Sequence, residues 1–121
     1  MLIKILVVDD SASDRLIITN MLKDYAVQTA RDGMEALRML QEHADIQLMI
    51  LDLNMPGMSG RTCLQELLRM DPDAKVLIAS GYTVDNQAEK MIRAGALGFI
   101  AKPYQISDLV AKVGELLDRS A

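Results

Sequence analysis

Short apolar runs alternate along this chain with longer segments in which apolar residues recur every three or four positions. The first run, Leu2 to Val8 (LIKILVV), is rich in β-branched residues and broken only by Lys4, the pattern of a strand buried on both faces. Four more runs follow: Ala26 to Ala30, Gln47 to Leu51, Lys75 to Ala79 and Gly98 to Ala101. The intervening segments have helical spacing. Leu16 to Leu22 pairs Ile17 with Met21 and Ile18 with Leu22. Asp32-Gly33-Met34-Glu35 reads as a capping box opening a helix with Leu37 and Leu40 on one face. Ser59 is the expected cap of a third helix, with Leu64, Leu67 and Leu68 inward and a stop at Asp71-Pro72. A fourth is expected over roughly Asp85 to Ala94, ending at Gly95. The fifth, Ile106 to Asp118, offers Ile106, Leu109, Val110, Val113 and Leu117 as its apolar set. Gly114 inside it costs about 1 kcal/mol against alanine, so this helix is expected to fray easily.

Strand–helix alternation repeated in this way predicts an α/β fold, a five-stranded parallel sheet with helices on both faces. At 121 residues the chain has room for one domain, taken as residues 1–121. Aromatics make up only 3%, so aliphatic side chains and nine methionines must fill the core. A net charge of −4 gives no electrostatic reason to expect direct nucleic-acid or acidic-membrane binding. The single Cys63 excludes an intramolecular disulfide, and no apolar run approaches the ~20 residues of a membrane span. The expectation is a cytoplasmic domain.

In an open α/β sheet, ligands sit beyond the carboxyl ends of the strands. The first strand runs out into Asp9-Asp10, the third into Asp52, the fourth into Ser80 and the fifth into Lys102. Any one of these acids could be a helix cap or a solvated loop residue; the whole set, at successive strand ends, is poorly explained that way. Two like charges ~4 Å apart repel by about 4 kcal/mol at an effective dielectric of 20, so three acids call for a divalent cation. Oxygen-only ligation with few protein ligands favours Mg²⁺, or Mn²⁺ in its place, over Ca²⁺. Lys102 adds fixed positive charge suited to a phosphoryl group carried by a carboxylate nucleophile. The pattern predicts phosphoryl transfer onto aspartate.

The stretches ILVVDDS, MILDLNMPGMSG, VLIASGY and GALGFIAKPY, in this order and spacing, resemble the receiver domain of two-component response regulators, of the chemotaxis-regulator type, along essentially the whole chain. The resemblance implies a (βα)5 flavodoxin-like sheet with strand order 2-1-3-4-5. It implies Asp52 as acceptor from a phosphohistidine on a sensor histidine kinase or histidine phosphotransfer protein. Asp10 would then ligate the metal directly, Asp9 mainly through water, and Asn54 through its backbone carbonyl. Lys102 would pair with one phosphoryl oxygen and Ser80 with another, while Phe99 matches an aromatic switch position that rotates as Ser80 moves. Asn54, Gly81 and Tyr82 would influence how fast water reaches the phosphoaspartate, and Lys102-Pro103 matches a cis peptide. Signalling would run through the surface of the fourth helix, fifth strand and fifth helix, from a monomer or a phosphorylation-linked dimer, to an effector the sequence leaves unnamed. Departures are small: serine rather than threonine at position 80, phenylalanine without a hydroxyl at 99, and Tyr104 where phenylalanine is common.

The remaining residues of note have plainer readings. His43 is a solvated histidine near a helix end, Cys63 a packing residue, and Arg15 and Arg61 solvated surface groups. As for function, the domain would catalyse only its own phosphorylation and dephosphorylation. A phosphatase of the haloacid dehalogenase type needs a second acid two residues after the nucleophile, where Asn54 stands. A flavin-binding module needs a Gly- and Ser/Thr-rich phosphate loop after the first strand, where Asp9-Asp10 would repel phosphate. The chain could equally be a receiver module of a hybrid sensor kinase or a larger regulator.

Overall fold

A strand such as Ile5 to Val8 has no polar face, so it is stable only with helices packed on both sides. That is its setting in the computed structural model, which describes residues 2–43, 45–52, 60–80, 90–102 and 104–118. The elements are β1 (Lys4–Val8), α1 (Ala12–Met21), β2 (Ala26–Ala30), α2 (Gly33–Glu42), β3 (Ile46–Asp52), α3 (Gly60–Met70) and β4 (Val76–Ser80). A helical turn over residues 90–93, labelled α4, precedes β5 (Gly98–Ala101) and α5 (Ile106–Asp118). All strand pairings are parallel and the order is β2-β1-β3-β4-β5, the flavodoxin-like arrangement.

Side-chain alternation along the strands divides the core in two. Leu6, Val8, Met49, Leu51 and Ile78 face Ala36, Leu64, Leu67 and Met91 of α2, α3 and α4. On the other side, Ile5, Val7, Leu48, Ile50 and Leu77 face Ile18 and Leu22 beside Leu109, Val113 and Leu116 of α5. Each fully buried Leu or Ile contributes about 1.5–3 kcal/mol, which is what fixes the sheet's register. Lys4, the one charge within the first run, reaches out to Asp45 at 2.8 Å.

Local signals explain the helix ends. Ser11 caps α1 by accepting from the Asp14 N–H at 3.2 Å, which starts the helix ahead of the apolar pairs of Leu16 to Leu22. Asp32 caps α2 by accepting from the Glu35 N–H at 2.8 Å. Glu35 reaches back one residue further than a standard capping box, to the Arg31 N–H at 3.3 Å. After α4, Gly95 takes φ 120°. Its N–H donates to the Ile92 carbonyl, and that of Ala96 donates to the Met91 carbonyl, the paired bonds of a Schellman stop. The expected cap Ser59 and the segment from Asp85 to Glu89 lie outside the described residues.

One expectation about faces needs correction. On α5, Ile106 and Val110 are exposed, and Leu116 takes an inward place that the sequence reading gave to them. On α1, Ile18 and Leu22 are buried while Ile17 is exposed. Strand ends also shift: β3 runs through Asp52 and β4 through Ser80, so both side chains leave the ordered ladder rather than a loop.

Gly95 must have its positive φ, and an added Cβ would run into Leu68 Cδ1. Gly95→Ala is therefore expected to lower stability by about 1–3 kcal/mol in urea unfolding. Around Gly114 nothing lies within 4 Å of an added Cβ. Gly114→Ala is expected to raise stability by up to about 1 kcal/mol, and a loss would contradict the continuous α5 described here.

Candidate functional site

β1 and β3 are neighbours in the sheet, so residues just past their carboxyl ends are brought side by side. Asp9 follows β1 and is 2% exposed; Asp52 closes β3 and is 6% exposed. Asp10 is exposed beside them. Each of the three offers a carboxylate oxygen, and these oxygens lie within 4.8 Å of one another. Oxygen donors alone, gathered this closely with strong mutual repulsion, suit a hard divalent cation. The donor set fits Mg²⁺.

Lys102 supplies the opposing charge. Its backbone N–H donates to the Ser80 carbonyl at 2.7 Å, which ties the residue after β5 to the end of β4. Its Nζ lies 2.6 Å from Asp9 Oδ2, 3.1 Å from Asp14 Oδ2 and 3.9 Å from Asp52 Oδ2. Burial by itself would depress this ammonium, but the hydrogen bonds to Asp9 and Asp14 and the charge of Asp52 outweigh it and hold Lys102 above the ordinary lysine value. Asp9 is fixed from several sides. Its Oδ1 accepts from the Ser11 N–H at 2.9 Å and its carbonyl from Arg15 Nη1 at 2.7 Å. Nearby, burial pushes the Tyr104 hydroxyl up to about 12, reinforced by the surrounding carboxylates against the opposing pull of Lys102.

Of the residues expected at the site, Asp9, Asp10, Asp52 and Lys102 are brought together, and Ser80 is buried at the adjoining strand end. Phe99 is half-buried on β5 and packs on the core shared with α2 and α3. Asn54, Gly81, Tyr82 and Pro103 lie outside the described residues, and with them the cis-peptide expectation. Two residues were underestimated. Arg15, expected to be a solvated surface group, is half-buried and braces Asp9. Asp14, which the sequence reading did not single out, turns its carboxylate to Lys102. A signal existed: Ser11-x-x-Asp14 has capping-box spacing, which marks position 14 as facing the start of the helix. The plainer readings of Cys63 and His43 agree with the structure. Cys63 is fully buried, burial and then the charge of Asp32 pushing its thiol up to about 11, and His43 is the C-cap of α2.

A family model described as a response regulator receiver domain matches residues 5–114. Chemotaxis protein CheY-3 of Vibrio cholerae is 36% identical over 122 residues, covering 96% of this chain and 92% of the relative. Sensor kinase CckA of Brucella abortus is 34% identical over 98 residues, 80% of this chain but only 10% of the kinase's own length. Among solved structures, the CheX-CheY-BeF3-Mg complex from Borrelia burgdorferi contains a chain that matches with a TM-score of 0.90 at 28% identity, covering 97% of this chain and 90% of that one.

Removing the ammonium leaves Asp9 buried and unpaired on one oxygen, so Lys102→Met is expected to lower stability at pH 7 by about 2–4 kcal/mol. Because folding raises the Lys102 value, the stabilisation it gives is complete below the ordinary 10.5 and is lost as pH rises above it. Tyr104 adds a loss of the same sign between 10.0 and about 12. Unfolding free energy should therefore fall on the alkaline side with a smaller slope in Lys102→Met; equal slopes would show that the ion pair contributes nothing.

Proposed function

The chain belongs to the response regulator receiver domain family, and on that premise we propose that it is a phosphorylation switch whose acceptor is Asp52. The observation that carries this reading is the placement of Asp52: buried at the end of β3, in one carboxylate cluster with Asp9 and Asp10, with an ammonium at 3.9 Å. In the step, an Asp52 carboxylate oxygen attacks phosphorus. The new O–P bond forms as the bond from phosphorus to the donor's imidazole nitrogen breaks, the electron pair leaving with the nitrogen. Lys102 donates to one phosphoryl oxygen and the Ser80 hydroxyl to another, contacts absent before transfer. Receiver domains bind Mg²⁺ through acidic residues. Here Asp9, Asp10, Asp52 and the carbonyl of Asn54 would hold it, and it would supply charge neutralisation at the phosphoryl oxygens. The Borrelia burgdorferi complex with BeF3 and Mg supports that assignment.

The domain has no external substrate to turn over; its chemistry is its own phosphorylation and the hydrolysis that reverses it. Phosphorylation biases a two-state equilibrium. The link from site to surface is short: Ser80 is joined to Lys102 through the backbone, and its neighbour Ala79 stands beside Ile100 in the sheet, next to Phe99. The readout surface is that of α4, β5 and α5, where Ile92, Ile106 and Val110 are exposed apolar residues. The partner upstream is a sensor histidine kinase or histidine phosphotransfer protein, in the cytoplasm. Among the described residues no helix is long and apolar enough to cross a membrane. Sensor kinase CckA, in which the matching region is a small part, favours a second reading of the setting: the same switch serving as a module of a larger protein.

Incubation with Mg²⁺ and acetyl phosphate is expected to install an acid-labile, hydroxylamine-sensitive phosphate, and Asp52→Asn to abolish it. Undiminished labelling of that variant would refute the acceptor assignment. Phe99→Ala is expected to leave uptake nearly intact while blunting phosphate-dependent partner binding, and loss of uptake would make the ring purely structural.

A further inference from the structure

Lys102 is not shared evenly among its carboxylates. Nζ hydrogen-bonds Asp9 at 2.6 Å and Asp14 at 3.1 Å, while Asp52 stands at 3.9 Å, beyond hydrogen-bond reach. Asp9 and Asp52 belong both to the cation cluster and to the surroundings of Lys102. Asp14 belongs only to the latter, so it is the carboxylate that keeps its hold on the ammonium once Asp9 is engaged by a cation. It also makes the site more negative than metal ligation requires, since Asp14 adds its charge to those of Asp9 and Asp52 around the Lys102 ammonium. A helix-start role does not explain this orientation. The α1 cap uses the Asp14 backbone N–H, whereas the carboxylate crosses to a residue 88 positions away in sequence.

We propose that Asp14 is a positioning residue that holds Lys102 and offsets its charge, and thereby restrains phosphoryl uptake at Asp52. The proposal rests on the reading of Asp52 as acceptor. A phosphoryl group arriving from acetyl phosphate forms a bond to Asp52 Oδ as its bond to the acetyl oxygen breaks, acetate leaving with the electron pair. The transferred oxygens bring negative charge to a place already crowded with it, and Lys102 must turn part of its hydrogen bonding from carboxylate to phosphoryl. Asp14 opposes both changes, being a charge and a competing acceptor. It is partly exposed, 39% for its side chain, so solvent screens it and its effect is moderate.

The test compares the full chain with Asp14→Asn and Asp14→Glu at saturating Mg²⁺ and excess acetyl phosphate. Asp14→Asn, which keeps the shape and removes the charge, is expected to take up phosphate about three- to tenfold faster. Asp14→Glu is expected to restore the slow rate. A second readout needs neither metal nor phosphate: Asp14→Asn should shift the urea midpoint downward in the parent chain but not lower it in Lys102→Met. An unchanged or slower rate in Asp14→Asn, or the same midpoint shift in both backgrounds, would overturn the proposal. If the parent chain itself takes up no phosphate, the acceptor assignment falls and this proposal with it. If the parent is labelled and Asp14→Asn matches its rate, this proposal alone falls.

Discussion

Everything in this structure is arranged around a repulsion. Three carboxylates are brought within 4.8 Å of one another at the carboxyl end of a parallel sheet, two of them almost wholly out of solvent. Left to themselves such charges would move apart. They stay because their backbones are fixed by strands whose other side chains are fully buried, and because Lys102 stands among them. The stability of the apolar layers thus sustains an electrostatic arrangement that is unfavourable in itself. That is the condition under which a small cation and a phosphoryl group can shift the energy of the whole domain.

The same constraint explains why the surrounding contacts are so specific. Asp9 is held at its carboxylate by the Ser11 N–H and the Lys102 ammonium and at its backbone carbonyl by the Arg15 guanidinium. Lys102 is in turn anchored to the Ser80 carbonyl, which makes β4 and β5 mechanically continuous with the charged pocket. Further back along β5, three residues before Lys102, Phe99 lies half-buried at the edge of the core.

Much of this was legible in the sequence, for identifiable reasons. β2 and β5 were expected with their observed bounds because both runs are short and closed by polar or helix-starting residues. Lys4 did not disrupt the reading of β1 because its long side chain reaches Asp45 at the strand's start. Strand ends plus the rule for open sheets located Asp9, Asp10, Asp52 and Lys102 together. Helix faces were less legible. Apolar spacing on α5 is shared by exposed Ile106 and Val110 and buried Leu109 and Val113, and only packing against α1 decides between them. The capping-box spacing of Ser11 and Asp14 marks the helix start but not the partner of the Asp14 carboxylate, which lies 88 positions away, and Arg15 bonds a backbone carbonyl, which no side-chain pattern marks.

The claim on which the rest stands is that Asp9, Asp10 and Asp52 form a divalent-cation pocket. Thermal or urea unfolding of the parent chain across a Mg²⁺ titration tests it directly, with Asp10→Asn as the comparison. At a hundredfold excess over the dissociation constant, binding to the folded state adds about 2.7 kcal/mol, so the parent should be stabilised progressively and Asp10→Asn far less. A parent chain indifferent to Mg²⁺, or an equal response in both proteins, would contradict the account.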